Sequence, residues 1–324
     1  MKAVGLFSGG LDSILAAKLI QKQGIKVEVL ILCSPFFNLD KKNCFAVKSA
    51  KENKIPFKLI DLGIDYMKIV KKPKYGYGKN LNPCIDCKIF MLKKAKEHAD
   101  KIKAEFVFTG EVLNQRPKSQ HMGAFNIIAK ESGLNDMLLR PLSAKLLDIS
   151  LPEKKGIVKR KDLLDIEGRE RKRQIKLTGK FGIKHYLTPS GGCLLTEKRY
   201  CDKLKDLLDN KNIKINDLYL LKKGRHFRVG KNKIIVGKNE LDNNEIMKLK
   251  NKSDLMFEAK GYAGPTTILQ GKADKKVIEL AASLTARYSD AEKDKVIVMY
   301  GKNKLDKEII VKKIKEEKID KIRI

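Results

Sequence analysis

The stretch VGLFSGGLDSILAAKLI, Val4 to Ile20, decides how the first half of the chain is read. An apolar run stops at Phe7, Ser8-Gly9-Gly10 follows, and from Leu11 apolar residues recur at helical spacing. Two adjacent glycines let the backbone turn tightly and approach a ligand, and the helix behind them aims its unpaired first-turn N–H groups into that turn. Such a place favours an anion. Ser8 and Ser13 add hydroxyl donors suited to phosphate oxygens, and Asp12 adds a carboxylate able to hold a metal ion or polarise a neighbour. The loop predicts a nucleotide. It lacks the Gly-Lys-Ser/Thr of a Walker A motif, so γ-phosphate chemistry of that kind is not indicated.

Outward from this loop, strands and helices alternate: strand Lys2–Phe7, helix Leu11–Gln23, strand Lys26–Leu32, helix Lys41–Asn53 and strand Phe57–Leu62. A helix from Pro83 to about Lys103 follows, then a strand over Glu105–Thr109 and a short one near Met137–Leu142. The pattern predicts an α/β fold with a parallel sheet covered by helices on both faces. Ligands of such sheets sit at the carboxyl ends of the strands, the edge that would carry the SGGLDS loop, Cys33–Ser34 and Thr109–Gly110–Glu111. Residues 1–150 form this first domain. Residues 151–252 read as a basic middle region: a helical GIVKRKDLLDIEGRERKRQIKL, the turn TPSGGCLLT, a helix Lys198–Leu208, and a hairpin in YLLKKGRHFRVGKNKIIVGK. Residues 253–324 read as a small α/β module, with strands Leu255–Ala259, Thr267–Leu269 and Val296–Tyr300, a helix Lys275–Tyr288, and a solvated helical end.

The formal charge is +31, from 70 basic against 39 acidic residues, far more than solubility requires. Residues 211–238 hold nine basic residues and one acidic, whereas 253–324 hold 16 and 12, so the excess is patterned and points to a polyanion. Lys222, Lys223, Arg225, Arg228, Lys260 and Arg287 are the candidate RNA contacts, with Tyr262 or Tyr288 to stack on bases. The first apolar run, Ala3 to Phe7, is too short for a secretory signal, and no run reaches membrane-spanning length. Six cysteines with one Cys-x-x-Cys pair suggest metal or redox chemistry in a cytoplasmic protein with no membrane role.

Cys84 and Cys87 in LNPCIDCKIFML open a helix, where the dipole and nearby lysines are expected to lower their pKa values. Cys193 stands in a glycine-rich turn, and Cys201 follows eight residues on. Cys33 and Cys44 read as core positions, although Cys33 also ends a strand on the ligand edge. Cys84, Cys87 and Cys193 allow two chemistries. They hold a 4Fe-4S cluster with an open iron for sulfide, or Cys84 or Cys193 carries a persulfide that a second cysteine resolves. Both deliver sulfur.

SGGLDS after an apolar strand resembles the signature of the PP-loop ATP pyrophosphatases, and NPCIDCK resembles the Asn-Pro-Cys-x-x-Cys element of tRNA 2-thiouridine synthetases. FTGEVLNQRPKSQ, LLRPLSAKLL and TPSGGCLLT are similar to a thiouridylase-like branch, and residues from Ser253 resemble the C-terminal RNA-binding module of NFACT proteins. The resemblance implies ATP and magnesium held by Ser8, Gly9, Gly10, Asp12 and Ser13, with Cys33, Gly110, Glu111, Gln115 and Arg116 beside the nucleotide. It implies tRNA as substrate, adenylation of a uridine carbonyl oxygen, and replacement by sulfur through Cys84, Cys193 and Asp12. Sulfide, or a cysteine desulfurase or persulfide carrier, would supply the sulfur, and a homodimer is compatible. Spacing to the late cysteine and the C-terminal module depart from the 2-thiouridine enzymes, which leaves the target nucleotide open. Two other readings compete: a PP-loop ligase or amidotransferase with structural zinc, its fourth ligand His98, His121, His185 or Cys201, and a non-catalytic nucleotide-sensing RNA-binding protein.

Overall fold

The computed structural model describes residues 1–37, 45–186, 193–209, 213–272 and 274–324. Cys44 and the Ser190-Gly191-Gly192 turn before Cys193 lie outside them. Two compact units emerge, Met1–Thr196 and Glu197–Ile324, where the sequence suggested three segments.

In the first unit the elements are β1 (Lys2–Leu6), α1 (Leu11–Lys22), β2 (Lys26–Cys33), α2 (Phe45–Glu52), β3 (Phe57–Asp61), α3 (Tyr66–Lys71), α4 (Cys84–Ile102), β4 (Phe106–Thr109), α5 (Met122–Ser132), β5 (Leu138–Leu139), α6 (Leu151–Lys154) and α7 (Lys172–Phe181). The five strands are all parallel, in the order β3-β2-β1-β4-β5. The chain winds outward from β1 through β2 to β3, then crosses back to β4. With right-handed crossovers, that reversal puts α1 and α2 on one face and α4 and α5 on the other. The switch point lies between β1 and β4, where strand ends part and leave a crevice. Central strands buried on both faces read as continuous apolar runs, as in VEVLILC of β2. The core joins Phe7, Leu11, Ile14, Leu15, Phe106 and Phe108 to Leu163, Ile166 and Ile183. Residues 151–186 therefore belong to this unit.

One expectation fails here. GIVKRKDLLDIEGRERKRQIKL holds only a 3-10 turn at Arg160–Asp162 before α7 begins at Lys172, because Val158, Leu163 and Ile166 enter the core irregularly. Leu164 N–H donates to Pro141 O and Ile166 N–H to Leu142 O, at 3.0 and 2.8 Å.

The second unit contains α8 (Lys198–Leu208), α9 (Ile215–Leu220), β6 (Arg225–Val229), β7 (Asn232–Val236), α10 (Glu240–Leu249), β8 (Leu255–Ala259), β9 (Thr267–Gln270), α11 (Lys275–Arg287), β10 (Lys295–Gly301), β11 (Lys307–Lys312) and α12 (Glu316–Ile322). Its antiparallel sheet runs β11-β10-β8-β9-β7-β6. The basic hairpin β6-β7 pairs through β7 with β9, so hairpin and tail share one sheet and the expected boundary near residue 252 falls inside it. Phe227, Phe257, Leu269, Ala281 and Leu284 fill its core under α11. The basic end of the chain, expected as a helix, forms β11 before the short α12. Among the described residues no helix is long and apolar enough to cross a membrane.

Candidate active site

The loop between β1 and α1 is braced by its own serines. Ser13 Oγ donates to Gly10 O at 2.8 Å, and Gly10 N–H donates to Ser8 Oγ at 3.3 Å. Gly10 caps α1 with no side-chain bond; Ser13 N–H turns back to Gly10 O at 3.1 Å, and the N–H groups of Leu11 and Asp12 have no side-chain cap. Gly9 sits at φ +77°, and a Cβ there would stand 2.7 Å from Ala46 Cα. Gly110, after β4, is held equally tightly, with its missing Cβ 2.6 Å from the Asp12 main chain. That close approach brings residues 111–116 beside the loop. Cys33 ends β2, buried, in register with Asp61.

Asp12 is where these segments meet. Gln115 Nε2 donates to its Oδ2 at 3.2 Å, and Arg171 Nη2 lies 3.6 Å from the same oxygen. Burial lifts the Asp12 carboxyl above the usual carboxylate range, opposed by Arg171, Gln115, Arg116 and Gln174. Its Oδ1 has no hydrogen-bond partner. Glu111, only 2% exposed, is held instead by protein: Thr109 Oγ1 donates at 3.0 Å, and Arg140 Nε and Lys88 Nζ lie at 3.3 and 3.6 Å. Burial works against its charge, but Lys88 and Arg140 outweigh it and hold its pKa below the ordinary value. Arg140 in turn lies over the Phe125 ring at 3.8 Å.

Cys84 and Cys87 stand in the first turn of α4, and Cys193 pairs with Phe37 in an antiparallel bridge. Tyr66, 0% exposed, lies between the Phe36, Phe37 and Phe90 rings at 5.6, 5.6 and 5.8 Å. Burial, then Cys87, Cys193 and Cys84, raise its hydroxyl well above the usual phenol range, so all three thiols bear on one phenol. The thiols are not activated as the sequence suggested. Burial pushes Cys87 up to about 11 against Tyr66 and Lys88, and it raises Cys84 against Arg116, Lys88 and Lys118. Desolvation outweighs the nearby cations here. Lys88 on α4 meets Glu111, whose neighbour Gly110 packs on Asp12, so the loop and the Cys-x-x-Cys helix share one edge of the first unit.

Among the described residues no three His, Cys, Asp or Glu side chains converge closely enough to hold a metal ion. The candidate zinc ligands are dispersed: His98 pairs with Glu28, His121 caps α5 by accepting from Ala124 N–H, and Cys201 is buried in the second unit. Lys88, Tyr66, Arg171 and Gln174 are site residues that sequence reasoning missed. Only Lys88 carried a signal, its place directly after the Cys-x-x-Cys.

Most basic candidates in the second unit already have partners. Arg228 grips Asp206 with two bonds of 2.7 Å, and the buried Lys233 joins the same carboxylate at 3.1 Å. Lys260 pairs with Glu308 at 3.0 Å, Arg287 with Glu316 at 3.5 Å, and Lys222 lies over the Tyr219 ring at 5.8 Å. Arg225 covers the Tyr288 ring at 4.4 Å, while Tyr262 stays 40% exposed. Lys223 serves through its carbonyl, which His226 Nε2 meets at 2.7 Å.

Residues 1–157 match the family model described as thiamine biosynthesis protein (ThiI), and residues 224–323 match that of the NFACT protein RNA binding domain. The first half of the chain is thus similar to ThiI, and the last hundred residues to the NFACT RNA-binding domain. A probable tRNA sulfurtransferase of Methanocaldococcus jannaschii is 31% identical over 142 residues, 44% of this chain and 36% of the relative. One from Ureaplasma parvum serovar 3 is 29% identical over 146 residues, 44% of this chain and 37% of the relative. The chain thus spans little more than a third of the length of the curated relatives it matches. A crystal structure named as a predicted subunit of tRNA methyltransferase from M. jannaschii is 20% identical, covering 44% of this chain and 69% of its own, at a TM-score of 0.32. The ThiI match holds the loop, Gly110–Arg116 and both Cys-x-x-Cys thiols, while Arg171, Gln174 and Cys193 lie beyond it.

Proposed function

We propose that this protein is an ATP-dependent tRNA thiolase. The observation that carries the reading is Lys88, which directly follows Cys87 on α4 and reaches Glu111 at 3.6 Å, next to the Gly110 that packs on Asp12. A site that activates a carbonyl with ATP and then replaces its oxygen needs the phosphate loop and the thiols within reach of one base. The resemblance to tRNA sulfurtransferases and the RNA-binding domain support tRNA as the substrate.

The second unit binds tRNA, and a uridine leaves its stack to enter the first unit's site. Ser8 to Ser13 and the first turn of α1 bind the ATP phosphates. The uridine carbonyl oxygen attacks the α-phosphorus, pyrophosphate leaves, and an adenylated base remains. Asp12 Oδ1, buried and without a partner, fits magnesium, which would neutralise phosphate charge. Cys84, Cys87 and Cys193, which all bear on Tyr66, are the residues that would hold a cluster and would let it supply sulfide; the persulfide route through this chain's own thiols needs none. Cys84, with Arg116, Lys88 and Lys118 about it, receives a persulfide from an external donor. Its terminal sulfur adds to the activated carbon and expels AMP. A Cys193 thiolate then attacks Cys84 Sγ, the sulfur–sulfur bond breaks, and the thiocarbonyl is released. The resulting Cys84–Cys193 disulfide needs an external thiol reductant for the next turn. Water must be kept from the adenylate, a task suited to the aromatic walls around Tyr66.

The test incubates the full chain with unmodified tRNA, ATP, a persulfide donor and reductant, then digests the RNA for mass spectrometry. A thiouridine formed with equal AMP supports the reading. Pyrophosphate release without a sulfur-bearing nucleoside would overturn it in favour of the ligase.

A further inference from the structure

The segment after the ThiI match returns to the phosphate loop. Leu113 and Glu167 form a parallel bridge, Gly168 N–H donates to Leu113 O at 2.8 Å, and Asn114 Nδ2 donates to Glu167 Oε1 at 2.6 Å. These bonds tie residues 167–168 to the same stretch that carries Gln115 and Arg116. Beyond them α7 packs on α1.

Five consecutive charged residues, Arg169 to Arg173, lead into α7, and one of them is committed to the loop. Arg171 is 17% exposed and faces Asp12, whereas Arg173 binds Asp165 at 2.5 Å and Lys172 pairs with Glu170 at 3.4 Å. One turn on, Gln174 is 0% exposed beside the same carboxylate. Four polar atoms are buried there without a hydrogen bond of good geometry: Asp12 Oδ1, Arg171 Nε, and both Nε2 and Oε1 of Gln174, although the Gln174 amide lies near enough to Asp12 to favour its charge. A folded chain rarely buries an amide with both ends unsatisfied, and a leucine would fill that space without the penalty. The orphaned donors of Arg171 and Gln174 have one feature in common. They border the loop whose serines and helix N-terminus suit phosphate.

The geometry points to Arg171 and Gln174 as a second wall of the nucleotide site, one that binds the pyrophosphate portion of ATP. This rests on reading the loop as an ATP site. Arg171 lies too far from Asp12 for a hydrogen bond, so an incoming phosphate can take its guanidinium and release Asp12. Gln174 supplies an amide N–H to the same oxygens. The wall would hold pyrophosphate after adenylation, and AMP alone would not need it.

The experiment titrates the full-length protein with ATP, inorganic pyrophosphate and AMP, in magnesium, by calorimetry. In Arg171→Gln, pyrophosphate and ATP should weaken about 10- to 100-fold, as expected when a charged hydrogen bond is lost, with AMP unchanged. Gln174→Leu should weaken them about 3- to 10-fold. Arg171→Lys, which keeps the charge and changes the fork, should fall between Arg171→Gln and wild type, and Lys172→Gln should match wild type. Equal losses for AMP and pyrophosphate in both variants, or no loss in either, would overturn the proposal. A wild-type protein that binds neither ATP nor pyrophosphate would overturn the nucleotide reading itself, and this wall with it.

Discussion

The loop edge of the first unit and the basic sheet of the second treat charge in opposite ways. Around Asp12, a carboxylate, a guanidinium and an amide are buried with atoms left unpartnered, although burial penalises each of them. In the second unit Arg228, Lys233, Lys260 and Arg287 are satisfied by Asp206, Glu308 and Glu316. Both units are basic, yet these cations of the second are paired, while four orphaned buried atoms gather around Asp12 in the first. Buried groups left unsatisfied are rare in a folded chain and call for a reason, whereas cations already paired with carboxylates do not.

That contrast can be broken at several points. Cys84→Ala has the largest expected effect: thiouridine formation falls below detection, while ATP binding stays within about 2-fold, since no phosphate contact is lost. Cys193→Ala should also stop net turnover, and nucleoside analysis with nucleotide titration would check both. Asp12→Asn should slow AMP formation about 100-fold or more, by loss of a charged group at the phosphates. A variant that still adenylates at the wild-type rate would remove Asp12 from the chemistry.

Arg116 sharpens the link between the two halves of the site. Burial raises the Cys84 thiol, and Arg116 opposes it, so Arg116→Ala should raise the thiol further. The thiolate is the reactive form, so alkylation of Cys84 should slow at fixed pH and its rate profile should move to higher pH. The check is iodoacetamide labelling followed by peptide mass spectrometry across a pH series. In the second unit, Tyr262→Ala should weaken RNA binding by about 1–3 kcal/mol if the exposed ring stacks on a base. Lys260→Ala should cost less, because its charge is already shared with Glu308, and it should reduce the salt slope by about one unit at most. Fluorescence anisotropy at several salt concentrations separates these terms. A Lys260 effect larger than the Tyr262 effect would show that paired cations do carry the binding.

The parallel sheet was legible because each of its strands is an apolar run between helical periods, and local pattern suffices for that. The Gly9 turn was legible too, since its positive φ and close neighbour leave little but glycine. Residues 156–171 misled, because Arg and Lys at helix-compatible spacing gave no sign that Leu163 and Ile166 enter the core, or that Leu164 and Ile166 bond to Pro141 and Leu142. The thiols misled for a related reason. Their lysines are visible in one dimension, but the burial that outweighs them is not.

By itself, then, the sequence determined the Gly-Gly loop, the alternating α/β half and the Cys-x-x-Cys helix, all properties of near neighbours, along with the positive charge of the chain. Only the tertiary structure decided that Tyr66 lies among three cysteines, that Lys88 meets Glu111 beside the loop, and that Arg171 and Gln174 come back to Asp12. Those arrangements join residues scores of positions apart, and desolvation and pairing energies exist only once the chain has brought them together.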